Sequence, residues 1–481
     1  MQEFPKQFFQ ERERLASYGS VGKRVVNRLA GVALLSSTLA CSGQPHTAAF
    51  NAALPVAQAE RPFSSPIKHV VIIVQENRSF DDIFAGYPGA DAPTYGYTHK
   101  GKKISLKAMG FGQFGVGISH TYHMALTNYD NGKMDGFDEN IFNNKQPAGT
   151  YPYAHLESKD VKPYWTMAQQ YTLDDKMFPT VWGNSFTAHL DLIAGTTVIS
   201  KKGGTTVSEI DTPYNQDVQN WTCYASPPPP TRILTHKANG QIIWGGGGPP
   251  PCFKPSQFHT MADTLDAANV TWRYYAPTVT KNTGGNLWSS FGAIENVYGG
   301  ADWAKDVISP ETTILQDIPN GTLPTVSWVI PDGTNSDHEG SGSDTGPSWV
   351  AAVVNTIGKS QYWKNTAIFV LWDDWGGWYD DVPPPQLDFL GLAERVPCIV
   401  ISPYAKPHYV SHTQYEFGSI LKFVEQTFGV ASLGYTDARA TSIADSFNFR
   451  QKPIVFKAIP AKYPTKHFLE QRPSYTLPDD D

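Results

Sequence analysis

The sequence predicts an α/β fold in which helices cover both faces of a mostly parallel central sheet. Several apolar runs are dominated by Val and Ile, which is typical of strands buried on both faces of a parallel sheet. Helical patterns separate these runs, and strands that alternate with helices pack as three layers. The 481 residues, with 41 Gly and 37 Pro, are enough for a large core with many ordered loops.

The first predicted strand runs from Ile67 to Gln75, where nearly every residue is apolar. Further predicted strands cover 325–331, 366–374 and 398–406, and predicted helices cover 347–360 and 416–429. The segment at about 200–256 is rich in Pro and Gly and has no periodicity, so we interpret it as an elaboration on the core. We expect a single domain over residues 60–475.

Residues 1–59 have the features of an export signal followed by a flexible segment. Basic residues precede "LAGVALLSSTLAC", an apolar stretch that is too short to span a bilayer. Cys41 ends this stretch, where a lipid-accepting cysteine would stand, whereas "AQA" at 57–59 is a different cleavage pattern. We expect a periplasmic or extracellular protein; a lipid anchor at Cys41 and a cytosolic protein with an apolar tail remain open.

The net charge of −7 provides no basic field for a phosphate backbone, so we expect no nucleic-acid partner. A small anionic substrate would need local positive charge, such as a metal ion.

Cys223 and Cys252 flank a Pro- and Gly-rich segment and are candidates for a disulfide in an oxidising compartment. Cys398 lies in an apolar run, which favours a buried thiol.

Polar side chains follow two of the predicted strands. Glu76 and Asn77 come after the first strand, and Asp373 and Asp374 come after "AIFVLW". Ligands bind beyond the carboxyl ends of strands in α/β sheets, and repelling carboxylates that meet there need a cation. Hard oxygen ligands suit a divalent metal. The alternative is that the two aspartates only cap the element that follows.

A candidate nucleophile lies in "FPTVWGNSFTAHLDLIAGTT" at 178–197, where Ser185 comes just before an apolar-periodic helix. The positive end of the helix dipole attracts a phosphate and favours a developing alkoxide. Read in isolation, Asn184 or Ser185 can equally be an ordinary N-cap.

Histidines supply candidate acids. His120 lies in "SHTYH" with His123, and His338 lies in the polar loop after the predicted strand 325–331. A histidine beside a phosphoester can stabilise its oxygens or protonate the leaving alkoxide. Any single histidine can instead be a core or surface residue, and His189, among others, has no supporting cluster in the sequence.

Taken together, five motifs resemble the bacterial and fungal phosphoesterase family that includes respiratory-burst-inhibiting acid phosphatases and non-haemolytic and mycobacterial-type phospholipases C. They span about 66–430 and read "IKHVVIIVQENRSFDDIFAGYPG", "NGKMDGF" preceded by His120, "GNSFTAHLDLIAGT", "DHEGSGSDTGPSWV" and "LWDDWGGWYDDVPPP" followed by "RVPCIVISPYA". The resemblance implies an alkaline-phosphatase-like α/β core. By matching position it implies metal ligands at Glu76, Asn77, Asp373, Asp374 and Ser185, and roles for Ser185 as nucleophile and for His120 and His338 toward the phosphoryl oxygens or leaving group.

The expected function is that of a secreted metal-dependent phosphoric ester hydrolase. The first interpretation is an acid phosphatase that acts on monoesters through a phosphoserine intermediate, because this chain has "GNS" where phospholipase members often have Gly-Pro-Thr. The alternative is a phospholipase C that cleaves phosphatidylcholine-like diesters, with Trp375, Trp378 and Tyr379 around a headgroup and transient membrane contact. A non-catalytic secreted binding protein is the third and least favoured option. One divalent ion is expected, with Ca, Mg, Mn and Zn all open, and the sequence predicts no oligomeric state.

Overall fold

The structure is a computed structural model that describes residues 64–113, 115–202, 206–213, 222–224, 230–237, 241–278 and 288–473. The predicted export signal, with Cys41 and the 57–59 pattern, lies outside these residues. Within the described part of the chain, no helix combines the length and the apolar character needed to cross a membrane.

The strands of the described residues are, in chain order, β1 (His69–Gln75), β2 (Tyr95–Tyr97), β3 (Lys103–Ser105), β4 (Lys107–Met109), β5 (Ala154–Leu156), β6 (Thr172–Phe178), β7 (Val198–Lys202), β8 (Thr206–Pro213), β9 (Thr231–His236), β10 (Ile242–Gly246), β11 (Trp272–Tyr275), β12 (Val307–Ile308), β13 (Val326–Val329), β14 (Thr366–Trp372), β15 (Val396–Ile401), β16 (Tyr409–Ser411) and β17 (Tyr415–Glu416).

The α-helices of the same residues are α1 (Phe80–Phe84), α2 (Tyr122–Tyr129), α3 (Lys162–Gln170), α4 (Ser185–Ala194), α5 (Met261–Ala267), α6 (Glu295–Tyr298), α7 (Ala301–Lys305), α8 (Ile314–Asn320), α9 (Gly346–Gly358), α10 (Phe417–Phe428), α11 (Thr436–Arg439) and α12 (Thr465–Glu470). Short 3₁₀ turns cover Phe111–Gln113, Asp130–Gly132, Phe137–Glu139, Ser290–Ala293, Glu311–Thr313, Trp363–Asn365 and Ile443–Ser446.

The central sheet has nine strands in the order β12-β11-β13-β1-β14-β15-β6-β16, and β17 also pairs with β6. β1 is parallel to both β13 and β14. β15 is antiparallel to both of its neighbours, β14 and β6, so β6 runs in the same direction as β1. The predicted α/β class with a mostly parallel sheet is therefore confirmed, and β15 is the strand of this sheet that runs the other way.

Two groups of helices accompany the sheet. In one group α9 contacts α3, α8 and α12, and in the other α10 contacts α4 and α11. No residue of β14 or β15 is exposed, because a helix layer on each face removes both sides of these strands from water. Burying Val and Ile on both faces contributes on the order of 2 kcal/mol per side chain. This is the reason that the central strands have continuous apolar sequences.

The predicted elements occur with small shifts in their bounds. The predicted strand 398–406 is the least accurate, because β15 covers Val396–Ile401 and the chain then leaves the sheet at "SPYA". The predicted helices 347–360 and 416–429 correspond to α9 and α10.

The Pro- and Gly-rich region contains structure that the sequence did not predict. Strands β7 to β10 form a separate antiparallel sheet in the order β10-β9-β8-β7. Leu234 of β9 packs in a small hydrophobic cluster with Trp182 and Trp375, which ties this sheet to the edge where the candidate site lies. Cys223 and Cys252 form the predicted disulfide, and Cys398 is a buried thiol as expected.

Candidate active site

Four polar segments leave the same edge of the central sheet. The parallel strands β13, β1 and β14 are adjacent, and β6 runs in the same direction beyond β15. The residues after β1 and β14 are the predicted carboxylate and amide groups, the residues after β13 include His338, and the chain after β6 leads into α4 at Ser185. Parallel strands bring their carboxyl ends to one edge, so residues distant in sequence meet there.

The register of β1 and β14 brings their two polar pairs together. Gln75 lies opposite Trp372, so Glu76 and Asp373 are the next residues on adjacent strands. The Asp373 N–H donates to the carbonyl of Gln75 at 2.9 Å, and the Asn77 N–H donates to Asp373 Oδ1 at 2.9 Å. All of these side chains are fully buried. The two strand ends therefore converge, and Asp374 also caps the turn that follows it, because its Oδ1 accepts from the Gly376 N–H at 2.7 Å.

Asn77 has a left-handed backbone conformation, with φ of 58°. Asn is among the few residues that adopt this conformation at modest cost, and such outliers are concentrated at functional sites. In a regular strand, neighbouring side chains point to opposite faces. The turn at Asn77 breaks that alternation, so Glu76 and Asn77 both have their side chains among the polar groups at the sheet edge.

Ser185 is the first residue of α4, directly after Asn184 at the N-cap position. The Ser185 hydroxyl lies 3.3 Å from Asn77 Oδ1 and 3.4 Å from Asp374 Oδ2, both within reach of its single hydrogen. Its oxygen also lies at the positive end of the helix dipole, which favours a developing negative charge. The residue that the sequence could equally assign to a simple cap therefore faces the carboxylates.

His120 is also in this group. Its Nδ1 lies 2.8 Å from the carbonyl oxygen of Ile118, which can only accept, so Nδ1 carries a hydrogen. Nε2 lies 3.5 Å from Asn77 Nδ2 and 4.0 Å from Asp374 Oδ2. The fully buried ring thus presents Nε2 to the site, where it can hold or deliver a proton.

His338 lies in the loop after β13, and this loop adjoins the site by its backbone. The Glu76 N–H donates to the carbonyl of Ser336 at 2.8 Å. The His338 ring packs against Trp288 with 5.7 Å between ring centroids, and only 6% of His338 is exposed. The neighbouring Glu339 places Oε1 at 3.5 Å from Asn77 Nδ2, a contact that the sequence did not predict.

Arg78 holds this loop against the end of β1. Its guanidinium donates to the carbonyl oxygen of Asp337 at 3.0 and 2.8 Å and to Asp82 Oδ1 at 3.2 Å. Burial raises the pKa of Asp82 to about 7, although Arg78 opposes the shift. Ser79 caps α1 by accepting from the Asp82 N–H, so these residues support the site and begin a helix.

His189 belongs to the site although the sequence showed no cluster for it. Its Nε2 lies 2.9 Å from Glu76 Oε1 and 3.8 Å from Asp373 Oδ2. Burial lowers the pKa of His189 to about 4, against the opposing effect of Asp373, so the ring is neutral. One signal for it was present in the sequence, because His189 follows Ser185 by four residues and thus lies on the same helix face.

The aromatic residues after Asp374 do not line an open pocket. Trp375 and Trp378 are fully buried, and Trp378 packs beneath the guanidinium of Arg78 at 5.3 Å. Tyr379 stacks on Tyr153 with 4.9 Å between ring centroids. The interpretation of this run as a headgroup pocket is wrong for the described conformation, because aromatic rings of this kind stabilise the loop by packing.

The chain matches a family profile and several curated proteins. The profile, described as the phosphoesterase family, matches residues 67–431, which is more than half of the chain. The non-hemolytic phospholipase C of Pseudomonas aeruginosa is 24% identical over 451 residues, covering 80% of this chain and 57% of that relative. Phospholipase C A of Mycobacterium tuberculosis is 26% identical over 433 residues, covering 80% of this chain and 78% of that relative.

Other matches are shorter or weaker. Phospholipase C B of Mycobacterium tuberculosis is 28% identical over 247 residues, covering 43% of this chain and 47% of that relative. The matches thus span about half the length of two of these three relatives. A solved structure of a protein in the alkaline phosphatase superfamily from Vibrio parahaemolyticus is 9% identical, with a TM-score of 0.36, and covers 81% of this chain and 74% of that chain.

Proposed function

The chain belongs to the phosphoesterase family, and from this premise we propose that it is a metal-dependent phosphoric ester hydrolase that cleaves phosphodiesters of the phosphatidylcholine type. Relatives that match most of the chain are described as phospholipases C. These comparisons favour the phospholipase C alternative over the acid phosphatase that the "GNS" motif first suggested. The substrate we propose is accordingly a phospholipid or a related small diester.

The observation that carries the proposal is the position of the Ser185 hydroxyl. It lies within hydrogen-bond distance of both Asn77 and Asp374 at the amino end of a buried helix. A hydroxyl that only capped the helix would not need to face the carboxylate that follows β14 and the amide that follows β1. A nucleophile needs such partners, because it must lose its proton and tolerate negative charge as it attacks.

The residues present fit a divalent cation. Asp373 Oδ2 is buried and has no hydrogen-bond donor among the described residues, and an uncompensated buried carboxylate is costly. We propose that Glu76, Asn77, Asp373, Asp374 and Ser185 hold the ion. When bound, such an ion neutralises charge on the phosphoryl group and lowers the pKa of a hydroxyl or water beside it.

Ser185, Asp374 and Asn77 have different roles in the first step of the proposed reaction. Ser185 Oγ attacks phosphorus, so a serine–phosphorus bond forms while the bond from phosphorus to the leaving alkoxide breaks. The hydroxyl proton passes toward Asp374 Oδ2, which is 3.4 Å away. Asn77 Oδ1, 3.3 Å from the Ser185 oxygen, is the other acceptor that the hydroxyl can face before the attack.

Proton delivery to the leaving group falls to His120. Its Nε2 is the ring atom turned toward the site, 4.0 Å from Asp374 Oδ2. His338 is proposed to bind phosphoryl oxygens once substrate is present. Water then releases the headgroup phosphate from Ser185, so the proton that His120 donated returns from that water.

Hydrolysis of two chromogenic esters tests the proposal. We expect the chain to hydrolyse p-nitrophenyl phosphorylcholine, a diester, faster than p-nitrophenyl phosphate, a monoester. Chelation should abolish turnover, and addition of a divalent ion should restore it. A strong preference for the monoester would contradict the proposal and support an acid phosphatase instead.

A matched pair of serine variants tests the nucleophile. Ser185→Ala is expected to lose at least about 10³-fold in kcat. Ser348→Ala serves as the control, because Ser348 is a buried serine in the first turn of a different helix, α9, where it accepts from the Tyr463 N–H. Near-normal turnover in a folded Ser185→Ala variant would rule out this mechanism.

A further inference from the structure

One face of the candidate site contains nitrogen as well as oxygen. Glu76, Asp373 and His189 each direct one ligand atom to a common point, and these atoms all lie within 4.8 Å of one another. His189 Nε2 is 2.9 Å from Glu76 Oε1 and 3.8 Å from Asp373 Oδ2. Neither the sequence motifs nor the family match assigns a role to His189.

The fold fixes this arrangement from three elements. Glu76 directly follows β1, Asp373 directly follows β14, and His189 lies one turn along α4 from Ser185. Not more than 1% of any of the three residues is exposed. Because each side chain comes from a rigid and buried element, the three ligand atoms have little freedom to separate.

The two oxygens of Asp373 have different surroundings. Oδ1 accepts from the Asn77 N–H at 2.9 Å, which sets the orientation of the carboxylate. Oδ2 is then directed toward His189, and it has no hydrogen-bond donor among the residues that the structure describes. A buried carboxylate oxygen without a donor is the place where a cation compensates charge best.

We propose that His189 Nε2 is a ligand of the metal ion, together with Glu76 and Asp373, so that the site is a mixed nitrogen and oxygen site. This inference rests on the proposed function only in that both need a bound ion. Adjacent ligand atoms that each lie about 2.1 Å from one ion are about 3.0 to 3.4 Å apart, depending on how many ligands the ion has. The distances of 2.9 and 3.8 Å from His189 Nε2 to the two carboxylate oxygens lie close to that range.

The ligand set determines the class of ion. Imidazole suits Zn²⁺, Cu²⁺, Ni²⁺ and Fe²⁺, whereas sites made only of carboxylate, carbonyl and water suit Mg²⁺ and Ca²⁺. His189 therefore selects a transition-metal ion. If His189 instead only donated a hydrogen bond to Glu76, the ion would meet oxygen alone, and the site would not distinguish the two classes in this way.

Electron spin-echo spectroscopy of Cu²⁺ bound to the chelator-stripped full chain tests the inference. A coordinated imidazole gives a nitrogen modulation from its remote ring nitrogen, and we expect this modulation in the wild-type protein. It should disappear in His189→Gln. A wild-type spectrum without nitrogen modulation overturns the proposal.

Two controls identify the source of the signal. His120→Gln removes the imidazole that lies 4.0 Å from Asp374 Oδ2, and His412→Gln removes a histidine paired with a carboxylate elsewhere, since His412 Nδ1 lies 2.8 Å from Asp175 Oδ2. The modulation should persist in both variants, and its loss in His120→Gln overturns the proposal. If His189→Gln does not fold, the wild-type and His120→Gln spectra still decide between these outcomes.

Metal titration adds a second readout. In His189→Gln, Zn²⁺ affinity is expected to fall by about 10- to 100-fold, whereas Mg²⁺ affinity should not change measurably. Equal losses for both ions would contradict nitrogen coordination. Diester hydrolysis by the wild-type protein is followed in parallel: turnover without a nitrogen signal refutes the ligand assignment alone, and a nitrogen signal without turnover refutes the proposed function alone.

Discussion

Gly376 lies against Asn77 so closely that a single methyl group should disturb the site. Its φ is +62°, and a Cβ at this position would lie 2.3 Å from the Asn77 carbonyl oxygen and 2.7 Å from Asn77 Cβ. The Gly376 N–H also donates to Asp374 Oδ1 at 2.7 Å. Gly376→Ala therefore pushes directly on the strand end that positions Ser185 and the carboxylates.

The size of the effect follows from that distance. Ordinary contacts to a Cβ are about 3.4 Å, so the two segments must separate by about 1 Å. A misplacement of 1 Å can reduce turnover about 10²-fold. The left-handed backbone adds about 1 kcal/mol of destabilisation and the overpacking adds about 1–3 kcal/mol.

Diester hydrolysis and urea unfolding measure the two effects of Gly376→Ala. The matched control is Gly101→Ala, because Gly101 has φ of +72° and no atom within 4 Å of its added Cβ. Gly101→Ala should lose about 1 kcal/mol of unfolding free energy because of its left-handed backbone, and it should keep full diester hydrolysis. If Gly376→Ala has the same unfolding free energy and the same diester turnover as Gly101→Ala, the close approach of Gly376 to Asn77 does not position the site.

Three further changes test other parts of the account. Arg395→Ala leaves Asp380, its partner at 2.7 Å, buried without that charge, so the free energy of unfolding in urea should fall by about 3–5 kcal/mol. Lys466→Ala, which removes an exposed partner of Glu470, should cost less than about 1 kcal/mol, and equal losses would contradict this. Burial raises the pKa of Glu311 from 4.5 to about 8, so the stability that protonated Glu311 contributes is full below pH 4.5 and is lost as pH rises through 8. The thermal stability of Glu311→Gln should therefore exceed that of the wild type increasingly as pH rises, by up to a few kcal/mol. Plots of stability against pH that run parallel for the two proteins would refute the shift. Asp373→Asn should lower metal affinity at least about tenfold in calorimetric titration, and unchanged affinity would remove Asp373 from the ligand set.

Much of the fold followed from local sequence patterns. Runs of Val and Ile identify β1, β14 and β15 as buried strands because burial on both faces leaves no polar positions. The order of the strands did not follow, since pairing depends on contacts distant in sequence. The antiparallel direction of β15 and the sheet formed by β7 to β10 are differences of this kind.

The candidate site was predictable where potential metal ligands directly follow predicted strands. Glu76, Asn77, Asp373 and Asp374 stand directly after strands, so parallel packing brought them together. His189 was missed because a single histidine in an apolar helix resembles a core residue. Glu339 was missed because a polar loop has no periodicity that indicates which side chain points inward.

The most direct test of the central claim is the mass of the peptide that contains Ser185, measured during turnover. With p-nitrophenyl phosphorylcholine, a quenched reaction should leave phosphocholine on the peptide that contains Ser185, because attack at phosphorus releases p-nitrophenolate and retains the headgroup. No adduct should form in Ser185→Ala. An adduct on another residue, or continued turnover of the Ser185→Ala variant, would contradict the assignment of Ser185 as the nucleophile.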